Sequence, residues 1–91
     1  MRLLRLPMKG EYFDAIQAGT KLEEYRLVTP YWCKRIMGKS FDGIEMMRGY
    51  PSRSTEPRKF LQRPWRGYAI KKITHPHFGP DEVAVFAIKV N

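Results

Sequence analysis

The run Val83-Ala84-Val85-Phe86-Ala87-Ile88-Lys89-Val90 is apolar on both of its faces except at Lys89. Its β-branched residues favour a strand, and a strand with two apolar faces is buried on both sides. The rest of the chain therefore has to cover it above and below. It is far shorter than the roughly 20 apolar residues that cross a bilayer, and no other run in the chain comes closer. Only 91 residues are available for the covering, which is the length of one domain, residues 1–91. A domain of this size buries roughly 60% of its unfolded surface. That is one core, with little room for a deep enzyme-sized cavity.

The remaining elements are short. Residues 2–6 read as a first strand ended by Pro7. Residues 9–18 read as a helix with Tyr12, Phe13 and Ile16 on one face and Glu11 near its start, where the helix dipole favours negative charge. Gly19 follows as a natural stop. Residues 20–28 read as a strand. Thr29-Pro30 then opens a second helix, with Thr29 as cap and Pro30 in the first position. Residues 44–50 form a strand with Ile44 and Met46 on one face. Pro51, Pro57 and Pro64 make residues 51–65 a loop, with at most one short turn near Phe60-Leu61. Strand character returns over 66–74, and His75 to Pro80 is a turn-bearing connection. Several strands with two small helices point to an α+β chain, a compact and partly closed β-barrel of about five to six strands.

The net charge is +8, and it is unevenly spread. Residues 48–72 hold Arg48, Arg53, Arg58, Lys59, Arg63, Arg66, Lys71 and Lys72 against Glu56 alone, a net of +7. A field this local attracts polyanions and supplies phosphate contacts. Tyr50, Phe60, Trp65 and Tyr68 are interleaved with these cations. Single-stranded RNA binders use such a mixture, with arginine on phosphates and rings on unpaired bases. Any one of these rings is equally at home in core packing. The single cysteine, Cys33, cannot form an internal disulfide, so nothing marks an oxidising compartment. No apolar core of a signal peptide follows Met1, and the expected location is the cytoplasm.

Chemistry concentrates in Gly19-Thr20-Lys21-Leu22-Glu23-Glu24-Tyr25-Arg26. Glu24 and Arg26 are two apart on a strand and share a face, flanked there by Leu22 and Val28. If that face points inward, the two charges need each other or a cross-strand partner. Such a pair is either a structural latch or the floor of a polar site. Lys21 is out of step with Glu24, but its nearness to Gly19 leaves it in the turn. From there it can stand at the mouth of the same cleft.

Gly19, Lys21, Glu24 and Arg26 match the pattern G-x-K-x-x-E-x-R, and in this the chain resembles the ASCH domain family, relatives of the PUA-like RNA-binding barrels. The resemblance extends over residues 3–37, through the preceding helix and the following Val28-Thr29-Pro30-Tyr31-Trp32, which is similar to short stand-alone members, including those of phages. It implies a small PUA-like barrel with two short helices and a cleft suited to RNA or a nucleoside. Members of the family include RNA binders, ribonucleases and enzymes that deacetylate acetylated cytidine. In the deacetylating members the motif lysine works with a threonine where this chain has Glu24, and with a later glutamate; Glu45 is the only acidic residue inside a later expected strand. Glu24 is the commoner form and leaves RNA binding and RNA cleavage open.

The expected ligand is therefore RNA, single-stranded, or a nucleoside or nucleotide. Gly19, Lys21, Arg26, Arg48, Arg53, Arg58, Lys59, Arg63, Arg66 and Tyr68 are the expected contacts, and the loop 51–65 would close over the ligand. If the chain is an enzyme, a ribonuclease or a small amidohydrolase, then Lys21 and Glu24 form its acid–base pair. Arg26 then stabilises developing negative charge. A protein-interaction module is the third alternative. His75 and His77 straddle Pro76 in a turn without the partners a metal site needs, so no metal and no cofactor is expected. One of the two could serve as a general acid in RNA cleavage.

Overall fold

A computed structural model describes residues 2–49 and 59–91. The expected contacts Arg53 and Arg58, and most of the expected closing loop, lie outside these residues. The chain is α+β, with two helices and six strands among the described residues: β1 (Leu3–Met8), α1 (Gly10–Gln17), β2 (Glu23–Leu27), α2 (Pro30–Ile36), β3 (Gly43–Arg48), β4 (Phe60–Arg63), β5 (Tyr68–His75) and β6 (Gly79–Lys89), with one 3-10 turn, Pro76–Phe78, between the last two. They form two three-stranded sheets, ordered β1-β3-β4 and β2-β6-β5. Among the described residues no ladder joins the two sheets into a closed barrel.

β1 and β3 run parallel, and every other pair is antiparallel. Alternation sends Leu4, Leu6 and Met8 from β1 and Ile44 and Met46 from β3 into the core. Phe86, Ile88 and Val90 enter from the other sheet, and Phe13, Ile16 and Ile36 from the helices. Val85 and Ala87, on the opposite face of β6, are buried as well. The two-faced apolar run is thus the centre of its sheet, but only Val85–Ile88 is buried on both faces; Val83 is half-buried and Ala84 exposed, in the part that continues into the hairpin. The strand begins at Gly79, four residues before that run, because β5 and β6 continue as a hairpin past the buried part.

Two elements depart from the sequence pattern. Pro7 does not end the first strand but lies inside β1. It is tolerated there because β1 is an edge strand, where a missing amide breaks no necessary ladder bond. The stretch Phe60–Arg63, expected as loop, is a strand antiparallel to β3. It is short, alternately exposed and flanked by proline, so the sequence carries almost no strand signal there.

The helices behave as their ends suggest. Gly19 has a φ of +82° and stops α1. The Thr29 side chain accepts from the Trp32 amide at 3.3 Å and caps α2, with Pro30 in the first turn. The Arg48 side chain lies across Gly10, the first residue of α1. A Cβ there would stand 2.6 Å from the Arg48 Cζ.

Candidate functional site

One face of β2 holds Glu24 and Arg26, opposite Ile88 and Phe86 of β6. That face is the inner one, and Glu24 is the one buried charged residue among the described residues, 5% exposed. Its carboxylate is held from three sides. Oε2 accepts from Arg26 Nη2 at 3.0 Å, Oε1 accepts from the Tyr25 amide at 3.2 Å, and Lys21 Nζ stands 4.0 Å from Oε1. Arg26 Nη2 also donates to the Pro7 carbonyl at 2.7 Å. The proline inside β1 thus serves the site directly. Leu22, expected to flank the pair, turns outward at 62% exposure, because β2 begins one residue after it. Val28 does pack against the core.

Lys21 sits before β2, in the turn after α1. The amides of Thr20 and Lys21 both donate to the Ala15 carbonyl, at 3.0 and 3.1 Å. Asn91 fixes the segment from outside, donating from Nδ2 to the carbonyls of Ile16 and Lys21, each at 2.8 Å. The turn so formed lets Lys21 reach the same carboxylate as Arg26 despite its opposite parity on the strand.

These three side chains line a cavity of about 210 Å³ together with Met8, Tyr12, Tyr25, Leu27, Thr29, Trp32, His75, His77 and Phe78. The rings hold the cations. Lys21 Nζ lies 4.6 Å from the Tyr25 ring centre and 5.3 Å from that of Tyr12, and the Arg26 guanidinium lies 5.1 Å from Trp32. All three are cation–π distances. The tip of the β5–β6 hairpin brings in the two histidines, which meet Tyr12 edge-on at 5.8 and 5.9 Å. His75 Nδ1 accepts from the His77 amide at 3.1 Å. A neutral His75 therefore carries its proton on Nε2. Beside the cavity, Glu23 takes Lys71 Nζ at 2.9 Å and the Tyr25 hydroxyl at 3.3 Å. Burial and the Glu23 charge together hold the Tyr25 hydroxyl above the usual tyrosine range.

No protein-family model, curated protein or solved structure matches this chain.

The other expected contacts lie elsewhere. Gly19 shapes the turn and does not line the cavity. Arg48 forms a two-pronged pair with Asp14 of α1, Nε to Oδ1 at 3.0 Å and Nη2 to Oδ2 at 3.1 Å. That hydrogen bond holds the Asp14 carboxyl below the usual carboxylate range. Arg63 donates to the Asn91 side chain at 3.2 Å. Tyr68 packs edge-on against Phe86 at 5.2 Å, next to Trp65 and Phe41, so it belongs to the core margin. Lys59 and Arg66 are exposed. Of the expected contacts, then, the cavity gathers Lys21 and Arg26, together with Glu24 of the expected catalytic set. It also holds Tyr12, Trp32 and Phe78, which sequence reasoning left out. Tyr12 and Trp32 lie on helix faces that read as core-facing, and in the turn that brings in Phe78 only the two histidines stand out in the sequence.

Proposed function

We propose that this chain is an ASCH-like domain that binds RNA or a nucleotide in the cavity over β2, with its two sheets as an open form of the PUA-like barrel. The observation that carries the reading is the convergence of Lys21 and Arg26 on the single carboxylate of Glu24, inside an aromatic-lined cavity. Two cations held over rings in the lining of a small cavity suit a phosphate beside a planar base. The exposed cations Lys59, Arg66 and Lys72 would add diffuse attraction for the backbone. The motif resemblance supports the same ligand class. The test is a titration of wild type and Lys21→Ala with a short single-stranded RNA at low salt. Wild type should bind and the variant should bind more weakly; absence of wild-type binding refutes the reading.

A hydrolase using the same cavity is the second reading. What favours it is the presence of His75 and His77 beside Lys21 and Glu24. A neutral His75 that carries its proton on Nε2 has a ring N–H to donate. Incubation with mixed RNA and modified nucleosides, followed by mass spectrometry, distinguishes turnover from binding. Unaltered substrate after long incubation removes this reading and leaves the first intact.

A further inference from the structure

The three charged side chains at the cavity floor do not cancel. Lys21, Arg26 and Glu24 are 16%, 13% and 6% exposed, and they sum to one positive charge. Another acid beside the cavity, Glu23, is taken up by Lys71. Asp14 is taken up by Arg48. Glu24 accepts from Arg26 and from the Tyr25 amide, with Lys21 close by. The ring faces of Tyr25 and Trp32 carry Lys21 and Arg26. Lys21, Arg26 and Glu24 therefore leave one positive charge uncompensated.

From this we infer that the cavity is a receptor for a single negative charge, and that its ligand is a phosphodiester rather than a terminal phosphomonoester. The inference rests on the RNA or nucleotide reading above and names which phosphate enters the site. A phosphodiester carries one negative charge. A monoester carries about −1.5 to −2 near neutral pH. The attraction to the floor grows in proportion to the ligand's charge, but the cost of leaving water grows more steeply. Among side chains this buried, a floor of one positive charge is matched by one negative charge. A dianion brings a second charge against Glu24 after the one excess charge of Lys21 and Arg26 is already met. The cavity volume of about 210 Å³ is below the roughly 300–1,000 Å³ of pockets for larger ligands. One nucleotide step would fill it.

The experiment compares uridine, uridine 5′-monophosphate and uridine 2′,3′-cyclic monophosphate by calorimetry, alongside a short single-stranded RNA. It is run at about pH 8, above the usual histidine range. The cyclic phosphodiester should bind at least about tenfold tighter than the nucleoside, and no more weakly than the monoester. Glu24→Gln keeps side-chain oxygen for Arg26 and raises the floor to two positive charges, so it should invert the order and favour the monoester. Lys21→Met lowers the floor to zero and should erase the difference between nucleoside and cyclic phosphate; it remains informative if Glu24→Gln fails to fold. Equal binding of nucleoside and cyclic phosphate by wild type overturns the inference, as does a wild-type preference for the monoester. If RNA binds while none of the small probes is discriminated, the inference falls and the RNA reading stands. If the RNA does not bind either, both fall.

Discussion

Glu24 ties the stability of the chain to its chemistry. Removing its carboxylate leaves Arg26 and Lys21 facing each other in a mostly buried place. Breaking one partner out of a buried pair costs about 3–5 kcal/mol. Glu24→Ala should lose about 3 kcal/mol or more in urea unfolding, whereas Lys21→Ala, which leaves the Glu24–Arg26 bond intact, should lose less than about 1 kcal/mol. Equal losses would mean that Lys21 shares the structural role. Asp14 permits a pH test. Its carboxyl is held low by Arg48. Its stabilising effect is therefore present above its unfolded value of about 3.9 and is lost as pH falls through the lower folded value. Arg48→Met should return the Asp14 titration, followed by NMR, to the ordinary carboxylate range. The pairing of Glu24 with Arg26 was legible in the sequence because strand parity is local. The Arg48–Asp14 pair was not, since its members are 34 positions apart. In sequence, a cation with a distant partner looks like a free one.

At the level of elements, the helix ends were the clearest text and the strand ends the least clear. Thr29-Pro30 names both a cap and a start, and the cap bond is present. Thr29 also lines the cavity and opens the helix that carries Trp32. Thr29→Ala should cost about 1 kcal/mol, lowering the melting temperature by about 4–8 °C for a domain of this size. Differential scanning calorimetry reads this directly; an unchanged midpoint would show that α2 is held by its packing alone. The strands were harder because their limits depend on partners. β1 continues through Pro7 only because one of its edges is open, and β4 exists only because β3 offers it a ladder. Neither condition can be read from the residues concerned.

For the whole molecule, the concentration of charge in residues 48–72 was legible, but its distribution in space was not. Arg48 and Lys71 are engaged by acids from other elements, and Arg63 is engaged by Asn91. Fewer cations remain for a polyanion than composition implies. If about three to four phosphates are neutralised, single-strand affinity should fall about ten- to a hundredfold between 50 and 200 mM salt. A titration across that range checks this, and a fall of only about two- to threefold would assign the binding to the cavity alone.

The pairing of β2 with β6 also sets an order of events in synthesis. Glu24 lies across from Ile88, and Arg26 across from Phe86, about sixty positions later in the chain. A ribosome adding about 5–20 residues per second needs several seconds to cover that interval. β1 and β3 can meet earlier, with about forty positions between their partners. The residues of the cavity floor, though made early, wait in solvent until nearly the last strand emerges. A nascent chain stalled before β6 should therefore carry the whole motif and still capture no ligand.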